Sequence, residues 1–445
     1  MASHPAPRRT PAAVTGRIPR RTALGRGAAA TLAAARALAP TLFVGCSLGI
    51  PERARTVPVG LLHSQTGPLA TSATPLRDIE LHAFELCNAA GGILGRTVHL
   101  SAPDPRSRAD LHVARARRLL DAGSVAVFGC WTSQSRKAVL PVFEERRTPL
   151  LYPVQYEGNE SSPWVIYGGS VPNQQVLPAI DWLTGPEGGE RKKIFLLGSD
   201  YVFPRTANFI VKKALAARDL APVGELYLPL EQRDFTAAVE RIVAAGADCV
   251  LNTVNGDGNI GLFAALAAAR VDSERVPVVS TSIGETELQT LLPEQVRGHF
   301  AVASYFQSID SEANRGWIGG FRREFGHDRV TGDAMEADWC LVHLWKAAVE
   351  KAGSFAGDDV REALRDGIEF AGPGGTVRFD PKTQHCTRSF RVGRIRSDRQ
   401  FDIVHASPAP IEPDPYPQIA FPGWKCDWTA DGLTRGAEVP IDGDV

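Results

Sequence analysis

From Val57 onward the chain alternates short apolar runs with amphipathic stretches, and this rhythm carries the first expectation. Val57-Pro58-Val59-Gly60-Leu61-Leu62 reads as a buried strand, residues 76–90 as a helix stopped by Gly91-Gly92, and Thr97-Val98-His99-Leu100 as a second strand. A helix over 109–122 has its apolar residues three and four apart, and strands follow at 125–128 and 148–152. The rhythm then restarts: strand 193–197, helix 206–218, strand 223–228, helix 235–245, and strands at 249–252 and 276–280. Alternation at this spacing predicts parallel sheets with helices on both faces. Two such halves, joined near 170–173, predict a two-lobed α/β protein.

The last third predicts a strand at 300–305, helices over 313–325 and 334–352, and a hairpin region at 372–405. Residues 408–417 hold five prolines and predict an extended surface strap.

The first fifty residues have a different character. Residues 1–26 carry Arg8, Arg9, Arg17, Arg20, Arg21 and Arg26 and no acidic residue, and an Ala/Leu-rich run then ends in Leu42-Phe43-Val44-Gly45-Cys46. Basic region, apolar region and small residues before a cysteine are the layout of an export signal over 1–45, with Cys46 as the candidate lipidated residue. Arg20-Arg21-Thr22-Ala23-Leu24 loosely resembles a twin-arginine export motif.

Composition narrows the partners. A chain of 445 residues suits two or three domains, and 44% hydrophobic with 22% charged residues is ordinary for a soluble protein. The formal net charge of −1 gives no electrostatic reason to expect nucleic acid or an anionic membrane surface as partner. The seven cysteines show no CxxC and no metal-type spacing, so no metal site is expected, and Cys87, Cys249 and Cys340 read as inert core thiols.

Ligands of open α/β sheets bind beyond the carboxyl ends of strands. Three loops qualify: His63-Ser64-Gln65-Thr66-Gly67, the segment beginning Cys130-Trp131-Thr132-Ser133, and Gly198-Ser199-Asp200-Tyr201. Thr132 and Ser133 can cap a helix, Trp131 can lie flat on a planar ligand, and Tyr152 and Gln155 end the fourth strand. Trp131, Ser133, Tyr152, Gln155, Tyr201 and Ser64 are therefore the candidate binding residues, suited to a flat neutral ligand with N–H donors and a carbonyl acceptor. Catalysis is not expected: neither Ser64 nor Ser133 sits in a GxSxG elbow, and no GxxxxGK[ST] loop occurs. No cofactor is expected either.

Several blocks are similar to the urea ABC transporter substrate-binding proteins: GCWTSQSRKAVLPVFE at 129–144, LYPVQYEG at 151–158, PNQQ at 172–175, GSDYVFPRTAN at 198–208, YFQSID at 305–310 and SPAPIEPDPY at 407–416. The resemblance covers roughly 57–416. It implies a type I periplasmic-binding-protein fold, two doubly wound α/β lobes with a cleft between them and three crossovers. Lobe one would be 56–173 plus 301–371, lobe two 174–300 plus 372–406, and 407–445 a Pro-rich strap. It also implies an exported, periplasmic or outer-face subunit that closes on urea or a short-chain amide and delivers it to ABC permease subunits, with any membrane attachment through lipid at Cys46.

A related group, the amide sensors that regulate amidase expression, resembles the chain at Trp131, Ser133, Tyr152 and Tyr201. That group has Thr and Pro at the positions of Val154 and Gln155, and the departure favours urea. An amide-sensing regulator and a branched-chain amino-acid binder remain the alternatives. The latter needs a buried carboxylate for an ammonium group, with Glu336 or Asp257 as candidates.

Overall fold

The computed structural model describes residues 55–436. The export segment 1–45, Cys46 and residues 437–445 lie outside the described residues. Among the described residues, no helix is long and apolar enough to cross a membrane.

The chain begins β1 (Thr56–Leu62), α1 (Ala70–Ala89), β2 (Thr97–Ser101), α2 (Ala109–Asp121), β3 (Val127–Gly129), α3 (Ser133–Arg146), β4 (Leu150–Tyr152), β5 (Val165–Tyr167). It continues α4 (Val176–Thr184), β6 (Ile194–Ser199), α5 (Val202–Ala216), β7 (Gly224–Leu228), α6 (Thr236–Ala244), β8 (Cys249–Thr253), α7 (Gly258–Ala268), β9 (Val278–Ser280). Two single helical turns, Glu285–Leu288 and Pro293–Val296, precede β10 (Phe300–Ala303). Then come α8 (Glu312–Phe325), α9 (Asp333–Ala352), α10 (Gly357–Leu364), β11 (Glu369–Gly372), β12 (Gly375–Asp380), β13 (His385–Cys386), β14 (Arg391–Ile395) and β15 (Phe401–Ala406). A small ribbon, β16 (Lys425–Asp427) and β17 (Gly432–Thr434), closes the described chain.

Two sheets result. The first has the order β11-β12-β13-β5-β4-β3-β1-β2 and the second β15-β14-β10-β9-β8-β6-β7. β2, β1, β3, β4 and β5 are parallel, as are β7, β6, β8, β9 and β10. This is the doubly wound two-lobed α/β architecture of the type I periplasmic-binding-protein fold. The central strands are near-continuous apolar runs because helices cover both of their faces. Val57, Val59, Leu61 and Phe128 pack with Phe84 of α1 and Trp345 of α9, and burying each such side chain stabilises by roughly 1.5–3 kcal/mol.

The lobe boundaries need two corrections. Phe300–Ala303 does not open the return to lobe one: it pairs in parallel with β9 and antiparallel with β14, inside the second sheet. Residues 372–406 are divided between the lobes. Val377 and Phe379 of β12 alternate inward onto the Trp345 cluster, and β13 joins β5 through His385 and Tyr167, so β12 and β13 belong to the first sheet. Only β14 and β15 belong to the second.

The crossovers are held by buried polar side chains, most of them bonded to backbone. Asp333 Oδ1 accepts from the amides of Ser304 (2.9 Å) and Tyr305 (2.8 Å), and Arg388 pairs with Glu336 at 2.7 Å. The PNQQ block belongs to this frame. Gln174 Nε2 donates to the carbonyls of Cys386 and Ile411, and Gln175 Nε2 to those of Thr281 and Val302. The Pro-rich strap crosses beside it. Pro415 O accepts from Asn159 N at 2.8 Å, and Tyr416 and Phe421 enter the second-lobe core with Val176 and Ile180.

Candidate functional site

The candidate loop of lobe one starts where β3 passes the end of β1. Gly129 has φ 153°, and a Cβ there would meet the Leu62 carbonyl oxygen at 2.7 Å, so glycine is required by close approach. Cys130 follows at φ 66° with its amide donating to Leu62 O at 3.0 Å. Thr132 is the N-cap of α3, its hydroxyl oxygen accepting from Ser135 N at 3.0 Å. With the cap supplied by Thr132, Ser133 is free for other use. Its hydroxyl donates to Glu157 Oε2 at 2.5 Å.

Beneath this pair lies a buried charge. Arg136, one turn into α3, is fully buried between Tyr152 and Tyr156, with its guanidinium carbon 4.5 and 4.3 Å from the ring centroids. Its Nε donates to Glu160 Oε1 at 2.6 Å, its Nη1 to Ser133 Oγ at 3.3 Å, and its Nη2 lies 3.6 Å from Glu157 Oε1. Lys137 reaches Glu160 from the surface at 2.9 Å. Burial alone would raise the Glu160 carboxyl, but Arg136 and Lys137 overcome it and hold the group at about 2. His385 completes the layer against Tyr156 and Tyr167, and burial lowers its ring to about 3, so it is neutral. The Cys130 thiol is buried and pushed up to about 12, which makes it a packing group.

Lobe two faces this cluster with Tyr201, at the N-terminus of α5, and Asn255, just past β8. Tyr201 OH donates to Asn255 Oδ1 at 2.7 Å. Burial raises the Tyr201 phenol well above its usual range, and Tyr152 and Glu157 of the opposite lobe add to the effect. Among the described residues, Glu157 Oε1 and Asn255 Nδ2 are buried without a hydrogen-bond partner. Lobe one thus presents Glu157 Oε1, which has no hydrogen bond but lies 3.6 Å from Arg136 Nη2, itself without one, and lobe two presents Asn255 Nδ2 as an unsatisfied donor.

Beside this interface is a cavity of about 40 Å³, lined by Leu76, Trp131 and Gln155 from lobe one, Ser282 and Ile283 from lobe two, and Met335 from α9. Gln155 Nε2 spans the cleft, donating to Thr281 O at 3.1 Å and Ser282 Oγ at 2.9 Å.

The structure places Trp131 and Gln155 in the cavity lining, while Ser133, Tyr152 and Tyr201 lie outside that lining in the buried layer beside it. Tyr152 has its hydroxyl on the Trp131 carbonyl at 3.0 Å. Ser64 is used elsewhere: its Oγ accepts from Ser107 N at 2.8 Å and anchors a neighbouring loop, so it is not in the cavity lining. The two carboxylates suggested for an ammonium are also committed, Glu336 to Arg388 at 2.7 Å and Asp257 to Arg233 at 3.1 Å. Sequence reasoning passed over Glu157, Arg136 and Asn255 as functional groups. Asn255 follows β8 and precedes α7, where the rule of strand carboxyl ends would have found it. Arg136 and Glu157 lay in plain sight inside the two conspicuous blocks, but their pairing is visible only in three dimensions.

The sequence profile described as the periplasmic binding protein domain matches residues 57–421. A Leu/Ile/Val-binding protein homolog of Brucella melitensis is 22% identical over 353 residues, 77% of this chain and 88% of that one. A limonene hydroxylase of Geobacillus stearothermophilus is 30% identical over only 118 residues, so the chain spans 21% of the length of that protein. Among solved structures, a Rhodopseudomonas palustris ABC-transporter solute-binding protein in complex with 4-hydroxybenzoate superimposes with TM-score 0.71 at 20% identity, covering 79% of this chain and 97% of that one. The branched-chain amino acid transporter substrate-binding protein of Streptococcus pneumoniae, in complex with isoleucine, gives TM-score 0.70 at 17% identity, covering 80% and 100%.

Proposed function

We propose that this chain, which belongs to the periplasmic binding protein domain family, is the extracytoplasmic solute-binding subunit of an ABC importer and that its ligand is urea or a short-chain amide. The observation that carries the ligand class is a pair of buried groups from the two lobes, Glu157 Oε1, which accepts no hydrogen bond although Arg136 Nη2 lies 3.6 Å away, and Asn255 Nδ2, a donor without a partner. A urea molecule offers N–H groups to the carboxylate and a carbonyl to the amide, and Trp131 supplies a flat face in the adjoining cavity. Size points the same way. A water fills roughly 10–15 Å³ on this measure, so the adjoining cavity of about 40 Å³, which Trp131 and Gln155 line but Glu157 and Asn255 do not, has room for only a few heavy atoms.

The ligands named for the relatives fit less well. A benzoate would bring its carboxylate against Glu157, and the buried cation at hand, Arg136, is already shared by Glu157 and Glu160. Isoleucine could place its ammonium on Glu157 Oε1, which keeps the branched-chain reading in play, but its bulk exceeds the cavity. The basic and apolar run ending at Cys46 supports export. Titration calorimetry with urea, acetamide, isoleucine and 4-hydroxybenzoate tests the ligand class. Saturable binding of urea or acetamide is expected, and binding of isoleucine or 4-hydroxybenzoate alone would overturn it.

A further inference from the structure

His63 follows β1, Glu80 lies in the middle of α1, and Asp338 sits in the second turn of α9. The fold brings one ligand-type atom from each within 4.8 Å of the others, and all three residues are buried. His63 Nε2 is 2.7 Å from Glu80 Oε1 and 3.7 Å from Asp338 Oδ2. With both acids ionised, Glu80 Oε2 and both Asp338 oxygens receive no hydrogen bond among the described residues, and His63 Nδ1 has no partner. The neighbouring cation, Arg77, is drawn to Asp78 at 2.6 Å and to Gln65.

Two carboxyl groups and an imidazole buried together need their charge cancelled. Protons can do this: burial pushes both carboxyls well above their usual range and lowers His63 to about 4. That state joins Glu80 to Asp338 by one carboxyl–carboxyl hydrogen bond and gives the cluster's other oxygens no partner beyond His63. A divalent cation cancels the same charge and gives those oxygens a ligand role. One imidazole nitrogen with two carboxylates is a donor set for first-row transition metals, and the imidazole argues against magnesium or calcium. Spacing in the sequence gives no hint of it, because the three residues come from three distant segments.

We propose that His63, Glu80 and Asp338 bind one divalent transition-metal ion, zinc or manganese, that ties β1, α1 and α9 together. α1 also carries Ser72 and Leu76 to the cleft cavity, and α9 carries Ala334 and Met335. The ion therefore stiffens the lobe-one wall of the binding site without touching the ligand. Because the residues are fully buried, the metal enters as the chain folds.

The test uses the whole chain, unfolded in guanidinium with a chelator and refolded with zinc chloride, manganese chloride or chelator alone. After dialysis, metal content is measured by mass spectrometry and the melting temperature by calorimetry. One equivalent of zinc or manganese and a higher melting temperature are expected in the wild type. In Asp338→Asn, bound metal falls by about tenfold or more and the metal-dependent rise disappears. In chelator this variant melts at or above the wild-type temperature, since a neutral amide replaces a buried acid. His63→Gln provides the same comparison should Asp338→Asn fold poorly. Wild-type protein that retains no stoichiometric metal overturns the proposal, as does equal retention in both variants, which would assign the metal to the buried thiols. Urea binding without metal binding leaves the cleft reading intact, so the two proposals fail separately.

Discussion

Gln155 donates to Ser282 across the cleft at 2.9 Å, joining the end of β4 to the loop after β9. The same Nε2 also donates to Thr281 O at 3.1 Å, so one side-chain amide holds both lobes while lining the cavity. Position 155 thus stabilises the closed form directly, whatever it contributes to ligand contact. Gln155→Ala removes two hydrogen bonds worth about 0.5–1.5 kcal/mol each. Ligand affinity should fall about tenfold by calorimetry, with the melting temperature of the ligand-free protein nearly unchanged. Small-angle scattering with saturating ligand should show a larger radius of gyration than the wild type. An unchanged affinity would show that the bridge adds nothing to closure.

Glu157→Gln tests the carboxylate more sharply. The substitution keeps the shape beside Ser133 and Arg136 but replaces one acceptor oxygen with a donor. Hydrogen bonds to a charged group are worth about 1.5–3 kcal/mol, so urea affinity should fall roughly tenfold to a hundredfold. If isoleucine were the true ligand, the same variant would lose the ammonium partner and isoleucine affinity would fall instead.

Arg136 makes a stability prediction that is separate from binding. Removing one member of a buried ion pair costs about 3–5 kcal/mol, because the other charge is left uncompensated. Arg136→Met should therefore lower stability by this order in guanidinium unfolding, a denaturant that does not compete as ligand. Its carboxylate partner adds a pH signature. Glu160 is held at about 2 in the fold, below its unfolded value, so its contribution is present above about 4.3 and is lost as pH falls toward 2. The wild type should lose stability across that window, and Arg136→Met should lose much less.

Most of the frame was legible from periodicity. Stretches such as 57–62 and 249–251 are near-continuous apolar runs because both faces of each sheet are covered. The lobe assignment of 372–406 was not legible, since nothing in the sequence says which core receives Val377 and Phe379 of β12 or Val392 and Ile395 of β14, the last two entering different clusters of the second lobe. The aromatic and hydroxyl members of the cleft could be named from loops at strand ends. Arg136 could not, because a charged residue on a helix normally reads as solvated, and its burial depends on Glu160 and three tyrosines of the stretch 152–167 being folded against α3. Ser64 failed for the converse reason: its position after β1 is right, but the hydroxyl is taken by Ser107 N.

Glu285 sets the upper edge of the pH range. It is fully buried, its Oε1 accepts from Gln307 N at 2.6 Å, and its Oε2 has no hydrogen-bond partner among the described residues. Burial raises its carboxyl to about 8, with Glu287 and Asp333 adding to the shift. The folded protein therefore holds a proton that the unfolded chain releases near 4.3. This contribution is fully present below that value and is lost as pH rises to about 8. The neutral buried histidines act at the other edge. His63, His112, His299 and His343 are lowered by burial to about 4, so stability falls as pH drops below about 6.5. Glu285→Gln keeps the acceptor for Gln307 N and removes the titrating proton. It should raise the melting temperature by several degrees at pH 8.5 and by about a third as much at pH 5.5, where the unfolded chain has already released its proton, measured by calorimetry in matched buffers. An equal shift at both pH values would mean that the variant acts through packing, and that the Glu285 carboxyl does not titrate in this range.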